Sequence, residues 1–228
     1  MPEVWYLLQS AVGPSARNMA WDEALLEAVA RLGHPVLRFY GWTEPAATFG
    51  YSQRFADVSN WTTLRPLLRR PTGGGLVPHD RDWTYSLVFP PGHWWYELRA
   101  TESYQRVHEW IRAAFAKLNL EMHLSQNCRK EALGQCFIGA EQFDVLWNGQ
   151  KIAGAAQRRN RLGLLIQGSV QPPSATLARQ AWERAMCDAV PSLEKVIWRE
   201  LDPDQGLATR VQQLSSQKYE LLDYHQRR

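Results

Sequence analysis

The chain is short of cysteine: Cys128, Cys136 and Cys187 are all it has in 228 residues. An odd number without metal-type spacing excludes a disulfide-stapled scaffold and a four-ligand Cys/His zinc cluster, and free thiols suit a reducing cytoplasm. Long hydrophobic runs are missing too. No stretch approaches the ~20 apolar residues that span a membrane. The start, Met1-Pro2-Glu3-Val4-Trp5-Tyr6-Leu7-Leu8-Gln9, lacks the basic segment and apolar run of a signal peptide. Neither sign of charge dominates: 26 Lys and Arg against 23 Asp and Glu leave a net +3. That is too even for the concentrated basic face of a nucleic-acid binder, although mild basicity suits an acidic protein partner. Repeats, low-complexity blocks and Pro/Gly/Ser linkers are absent as well, so residues 1–228 read as one domain.

What is present is aromatic. The eleven tryptophans are an unusual number, and Trp21, Trp83 and Trp110 fall on expected helix or strand faces, which marks them as core. Residues 4–9 read as a strand. Residues 18–30 then place Trp21, Ala24, Leu25, Ala28 and Val29 on one helical stripe ended by Gly33. Short strands are expected at 36–40 and 47–50, and a short helix at 61–68. A second long helix over 102–118, capped by Thr101, carries Val107, Trp110, Ile111, Ala114 and Phe115 on one face. Strands at 120–124 and 143–147 follow, separated by a polar loop holding Cys128 and Cys136. Asn148-Gly149 is a two-residue hairpin signal, with return strands at 151–158 and 164–171. The C-terminal segment, about 174–228, reads as helical from 174 to 189 and from 205 onward, with a frayed end. The fold class is therefore α+β, a mostly antiparallel sheet with packed helices.

Two segments carry chemistry. In Arg69-Arg70-Pro71-Thr72-Gly73-Gly74-Gly75-Leu76-Val77-Pro78-His79-Asp80, three glycines lie between a double arginine and a His-Asp pair. Glycines in a strand region permit close approach to the backbone, and the arginines favour a long or negatively charged ligand. On the glycines alone, a loose hairpin turn explains the segment equally well. The second segment is Lys151-Ile152-Ala153-Gly154-Ala155-Ala156-Gln157, a strand of small residues that leaves room above a sheet, with one lysine at its border. That lysine is a candidate cation for a carbonyl or phosphate oxygen; taken alone, the segment reads more readily as an exposed turn lysine beside Asn148-Gly149.

Together these motifs resemble the lipoate–protein ligase A / octanoyltransferase family, whose fold is related to the catalytic domain of biotin protein ligases. The carriers of the resemblance are Arg-Arg-x-Thr-Gly-Gly-Gly-x-Val-x-His, then Thr84-Tyr85-Ser86, then Asp144-Val145 leading to Gly149-x-Lys151-Ile152-Ala153-Gly154 and Gln157-Arg158-Arg159. Ser15 to Leu26 resembles the family's first helix, Leu37 to Trp42 its next strand, and Gly168-Ser169 also fits; in all, residues 4–190 are covered. Among its members the chain looks most like the cysteine-dependent octanoyltransferases, because Cys136-Phe137 precedes Lys151 by fifteen positions. The resemblance implies octanoyl transfer from acyl carrier protein to a lysine of a lipoyl-carrier domain, without cofactor or metal. Cys136 would be the nucleophile and Lys151 the partner that lowers its pKa and faces the oxyanion. Arg70, Gly73, Gly74, Gly75, His79, Gly154 and Ala155 would line the substrate slot. His79-Asp80 could instead be a structural pair that holds the glycine loop. The basic hairpin Arg158, Arg159 and Arg161 could dock acidic carrier proteins or simply be solvated. The alternative within the family is an ATP- and Mg-dependent lipoate ligase, a class in which some members keep an accessory domain as a separate subunit; Cys136 would then be an ordinary loop thiol. Ile138-Gly139-Ala140-Glu141 departs from the transferase pattern and Gly75 is ligase-like, whereas Phe143 stands where adenylating members carry an asparagine.

Overall fold

In the computed structural model, residues 2–130, 139–174, 176–191 and 195–227 are described. The apolar start forms β1 (Glu3–Gly13), and the stripe after it forms α1 (Ser15–Leu32), which buries Met19, Leu25, Leu26 and Val29. Gly33 closes α1 at φ 72°, a left-handed conformation that glycine adopts without strain. β2 (Val36–Trp42) and β3 (Ala46–Phe49) follow. The helix expected over 61–68 does not form. Pro66 removes an N–H and disfavours helical geometry in the residue before it. The short helix is instead α2 (Phe55–Val58), and β4 (Leu67–Arg69) pairs parallel with β3. β5 (Val77–His79) pairs with the other edge of β3 to complete a three-stranded sheet.

β6 (Trp83–Phe89) leads through α3 (Trp94–Glu97) into α4 (Ala100–Ala116). The apolar stripe of α4 is buried as expected, but its cap is Arg99 rather than Thr101. The Glu102 carboxylate turns back to accept the Arg99 backbone N–H at 2.9 Å. β7 (His123–Leu124) and the two-stranded ribbon of β8 (Arg129–Lys130) and β9 (Gly139–Ala140) come next. β10 (Val145–Trp147) turns at Asn148 (φ 48°) and Gly149 (φ 77°) into β11 (Gln150–Asn160), so the hairpin signal is realised with both central residues at positive φ. β12 (Gly163–Val170), α5 (Arg179–Asp188), β13 (Val196–Glu200), α6 (Gln205–Leu214), a π-helical turn (Ser215–Tyr219) and α7 (Leu222–Gln226) complete the chain.

Eight strands form the main sheet in the order β13-β1-β2-β6-β12-β11-β10-β7. β1 pairs parallel with β2 and β13, and the remaining pairings are antiparallel, which makes the sheet mixed but mostly antiparallel. β13 has no counterpart in the sequence reading, because its inward alternation of Val196 and Trp198 lasts only five residues. Through Gln226 the C-terminal end is helical rather than frayed: the buried His225 of α7 accepts the backbone N–H of Arg69 at Nδ1, 3.0 Å.

Side chains in register across neighbouring strands share a face. One face carries Phe39, Tyr85, Gly168 and Ala155 in one row, with Leu37, Leu87 and Ile166 beside them. It packs against Val107, Trp110, Ile111 and Phe115 of α4 and Trp182 of α5 to form the larger core. The opposite face changes character along its length. Val36, Val88 and Leu165 lie under α1 in a second apolar cluster. Further along, the rows Arg38–Ser86–Gln167–Ala156 and Tyr40–Thr84–Ser169–Gly154 are polar or small. That patch positions the candidate site.

Candidate active site

The glycine loop is fastened from inside by the buried Arg70. Its guanidinium donates to the Thr72 hydroxyl (3.2 Å) and to the carbonyls of Thr48 (3.2 Å) and Gly73 (2.5 Å). Arg69 has a structural task, donating to the carbonyls of Tyr51, Gln53 and His225 and so tying β4 to α7. The close approach that the glycines permit is made by the protein's own chain. A Cβ on Gly50 would lie 1.9 Å from the Gly74 carbonyl oxygen, whereas one on Gly73 would meet open space. Thr72 then reaches the sheet, donating to Gln167 at 2.7 Å. Gln167 donates to Asp22 of α1 at 2.7 Å, and Asp22 pairs with the buried Arg38, also at 2.7 Å.

His79 is sandwiched rather than open. The Trp42 ring stacks on it at 4.0 Å, Nδ1 meets Asp82 Oδ2 at 2.8 Å and Nε2 meets Thr48 Oγ1 at 2.8 Å. Its carboxylate partner is Asp82, not the exposed Asp80 next to it in sequence, because the chain folds back between them. Asp82 also accepts from Thr84 (3.0 Å) and Ser169 (2.7 Å), which ties the loop after β5 to the small-residue rows.

Lys151 lies just beyond the hairpin, with its side chain 5% exposed and Nζ 2.7 Å from Asp144 Oδ2. The Asp144 carboxylate also accepts from the Glu141 backbone N–H (2.6 Å) and the Tyr104 hydroxyl (2.5 Å). Gly154 is the reason the ammonium fits: a Cβ there would sit 2.9 Å from Lys151 Nζ and 2.8 Å from its Cε. Through Gly154, Lys151 lies over the same face as Ser169 and Thr84, and hence as the His79–Asp82 pair. At the far end of β11, Arg158 reaches the Pro71 carbonyl at 3.4 Å. The fold therefore brings Arg70, Gly73–Gly75, His79, Gly154 and Lys151 to one side of the sheet. Ala155 does not join them. It is in register with Gly168 and Tyr85 and packs into the larger core on the other side.

Of the cysteines, Cys136 lies outside the described residues. Cys128 is exposed, with its thiol 3.0 Å from Glu141 Oε2. Cys187 packs against the larger core, where burial, aided by Asp188 and Glu183, pushes its thiol up to about 12. Near the lysine, His108 of α4 is fully buried and held down at about 4, chiefly by desolvation. Among the described residues, no group of three or more His, Cys, Asp or Glu is placed to hold a metal ion. No helix among them is long and apolar enough to cross a membrane.

A sequence model of the lipoyl protein ligase A/B catalytic domain matches residues 14–174, which span both the glycine loop and the Lys151 strand. The chain belongs to that family. It is 34% identical over 181 residues to octanoyltransferase LipM of Kyrpidia tusciae, covering 74% of this chain and 66% of that one. To octanoyltransferase LipM of Bacillus subtilis it is 32% identical over 182 residues, covering 74% and 65%. The chain thus spans just under two thirds of the length of these relatives. Among solved structures, protein Ta0514 of T. acidophilum superposes with a TM-score of 0.81 at 19% identity, covering 100% of both chains. Lipoate-protein ligase A bound with ATP gives 0.79 at 19% identity, covering 99% of each. At such identities the likeness is one of fold.

Within this lipoyl ligase A/B fold, several residues around the site escape a reading of the sequence. Asp22, Arg38 and Gln167 brace the glycine loop, Asp82 holds His79, and Asp144 and Tyr104 hold Lys151. Most of them also meet a partner far along the chain, as with Thr72 and Gln167, 95 positions apart, Asp82 and Ser169, 87 apart, or Tyr104 and Asp144, 40 apart. The available signal is their type: polar side chains such as Arg38 and Ser86 standing inside otherwise apolar strands.

Proposed function

We propose that this chain is an octanoyltransferase that moves an octanoyl group from acyl carrier protein to a lysine of a lipoyl-carrier domain, by way of a thioester on Cys136. The observation that carries the reading is the buried Lys151 ammonium, paired with Asp144 and set over the same small-residue face as the glycine loop. The octanoyltransferase relatives support the chemistry assigned to that geometry. In the first half, the Cys136 thiolate attacks the donor thioester carbonyl and the carrier's thiolate leaves. A free cysteine has a pKa of ~8.5, which a neighbouring cation lowers, so the Lys151 ammonium favours the reactive form. The same ammonium faces the oxyanion as it develops; one such preorganised donor is worth about 10²–10³ in rate. In the second half, the carrier lysine's amine attacks the acyl-cysteine, and the departing cysteine thiolate takes up the proton that the amine sheds, which restores the thiol.

Arg70, Gly73, Gly74, Gly75 and Gly154 shape the slot for the chain, and each buried CH₂ of the ligand contributes about 0.8 kcal/mol. His79 positions the loop, since both of its ring nitrogens are engaged within the protein. The chemistry uses no nucleotide and suits a reducing cytoplasm, where a catalytic thiol persists. The test is transfer itself. With octanoyl-carrier protein and an apo lipoyl domain as the only substrates, the domain gains one octanoyl group by mass. Modification only with free lipoate, ATP and Mg would replace this reading with the ligase.

A further inference from the structure

Both oxygens of Asp144 are occupied, and by different parts of the fold. Oδ2 meets the Lys151 ammonium and the Glu141 N–H, while Oδ1 accepts the hydroxyl of Tyr104 from the first turns of α4. We propose that Tyr104 is a positioning residue for Lys151, its hydroxyl fixing the Asp144 carboxylate and thereby the place of the ammonium. The inference rests on the Lys151-centred function above and adds a residue which that reading does not include.

The physical case is one of constraint. A lysine ammonium is a point charge on a flexible four-carbon stem and does not orient itself. When it is buried beside a carboxylate, the pair holds only if the remaining lone pairs are also hydrogen-bonded. Tyr104 and the Glu141 N–H supply those bonds from two separate elements, so the carboxylate cannot swing and Nζ has one place to sit. Tyr104 is itself braced: its ring lies 4.2 Å from the His108 ring, and His108 Nδ1 meets the Tyr104 carbonyl at 2.8 Å. His108, kept neutral by burial, brings no second positive charge to Asp144. Among the described residues, the titratable groups around the pair are Tyr104 and His108 from α4, Glu141 from the turn before β10, and Cys128, whose thiol meets the Glu141 carboxylate. None of these four carries a positive charge at neutral pH.

Tyr104→Phe keeps the ring against His108 and removes the hydroxyl alone. In the full chain, kcat for octanoyl transfer should fall about tenfold while KM for octanoyl-carrier protein stays within twofold. Adding Tyr104→Phe to Asp144→Asn should cost little more than Asp144→Asn by itself, the non-additivity expected of residues acting as one unit. A second readout needs no turnover: trace acetylation of Lys151 at neutral pH, quantified by peptide mass spectrometry. Labelling should rise severalfold in Tyr104→Phe and should rise no further in the double variant than in Asp144→Asn. Equal labelling in Tyr104→Phe and the unmodified protein, or losses that add in full, would overturn the proposal. So would a lower Tm with an unchanged rate per folded molecule. If the unmodified chain transfers no octanoyl group, the functional reading fails and the labelling comparison alone decides the role of Tyr104. Should Asp144→Asn fail to fold, labelling in Tyr104→Phe against the unmodified chain decides it.

Discussion

At the scale of single residues, the account turns on an ammonium that is buried because a glycine makes space for it. Lys151 occupies the volume a Cβ at Gly154 would need, so the glycine accommodates the lysine itself before any ligand. Gly154→Ala should therefore displace the ammonium and lower the transfer rate at least tenfold, as measured in single-turnover assays, while far-UV circular dichroism stays native. Gly168→Ala makes the contrast. Its Cβ would lie 2.1 Å from the Tyr85 ring on the core face; overpacking of this kind costs about 1–3 kcal/mol in urea titration but should leave the rate per folded molecule intact. Breaking the ion pair from the other side, Asp144→Ala leaves a buried ammonium uncompensated, a loss of about 3–5 kcal/mol in the same titration.

At the scale of elements, the sequence was legible where one period or one turn decided the outcome. The stripes of α1 and α4 and the Asn148-Gly149 hairpin needed only local rules, and they stand as read. The segment 61–68 misled because its apolar residues have helical spacing while Pro66 forbids the helix. β13 was missed because five residues of parallel edge strand carry too little alternation to be read as a strand. In the site, Lys151, Arg70 and the glycines announce themselves by type and order. Asp82, Gln167, Asp144 and Tyr104 do not, because their meaning arises only when distant elements meet. Ala155 shows the same limit in reverse: one step along β11 moves a small side chain to the opposite face. α7 belongs here too, since it closes over β4. His225→Ala would leave the buried Arg69 N–H without its acceptor, and a loss of about 1–3 kcal/mol is expected in urea titration.

At the scale of the molecule, one sheet separates two tasks: an apolar face under α4 and α5 supplies stability, and a polar patch on the other face carries the proposed chemistry. The stability side has a predicted pH signature. His108 is held near 4 in the folded protein against an ordinary 6.5, so between those values the unfolded chain binds a proton that the folded chain refuses. Stability should thus be complete above pH 6.5 and fall as pH drops toward 4, by about 1.4 kcal/mol per unit and about 3 kcal/mol in all. Burial of His93 and His225 acts in the same direction. Urea titrations across this range, repeated with His108→Gln, should show the slope and its reduction. The chemical side has a more direct test. Intact mass after mixing the protein with octanoyl-carrier protein, in the absence of nucleotide, should show a single octanoyl adduct that maps to Cys136 and disappears in Cys136→Ala. An unmodified mass, with labelling that appears only on addition of free lipoate, ATP and Mg, would contradict the account.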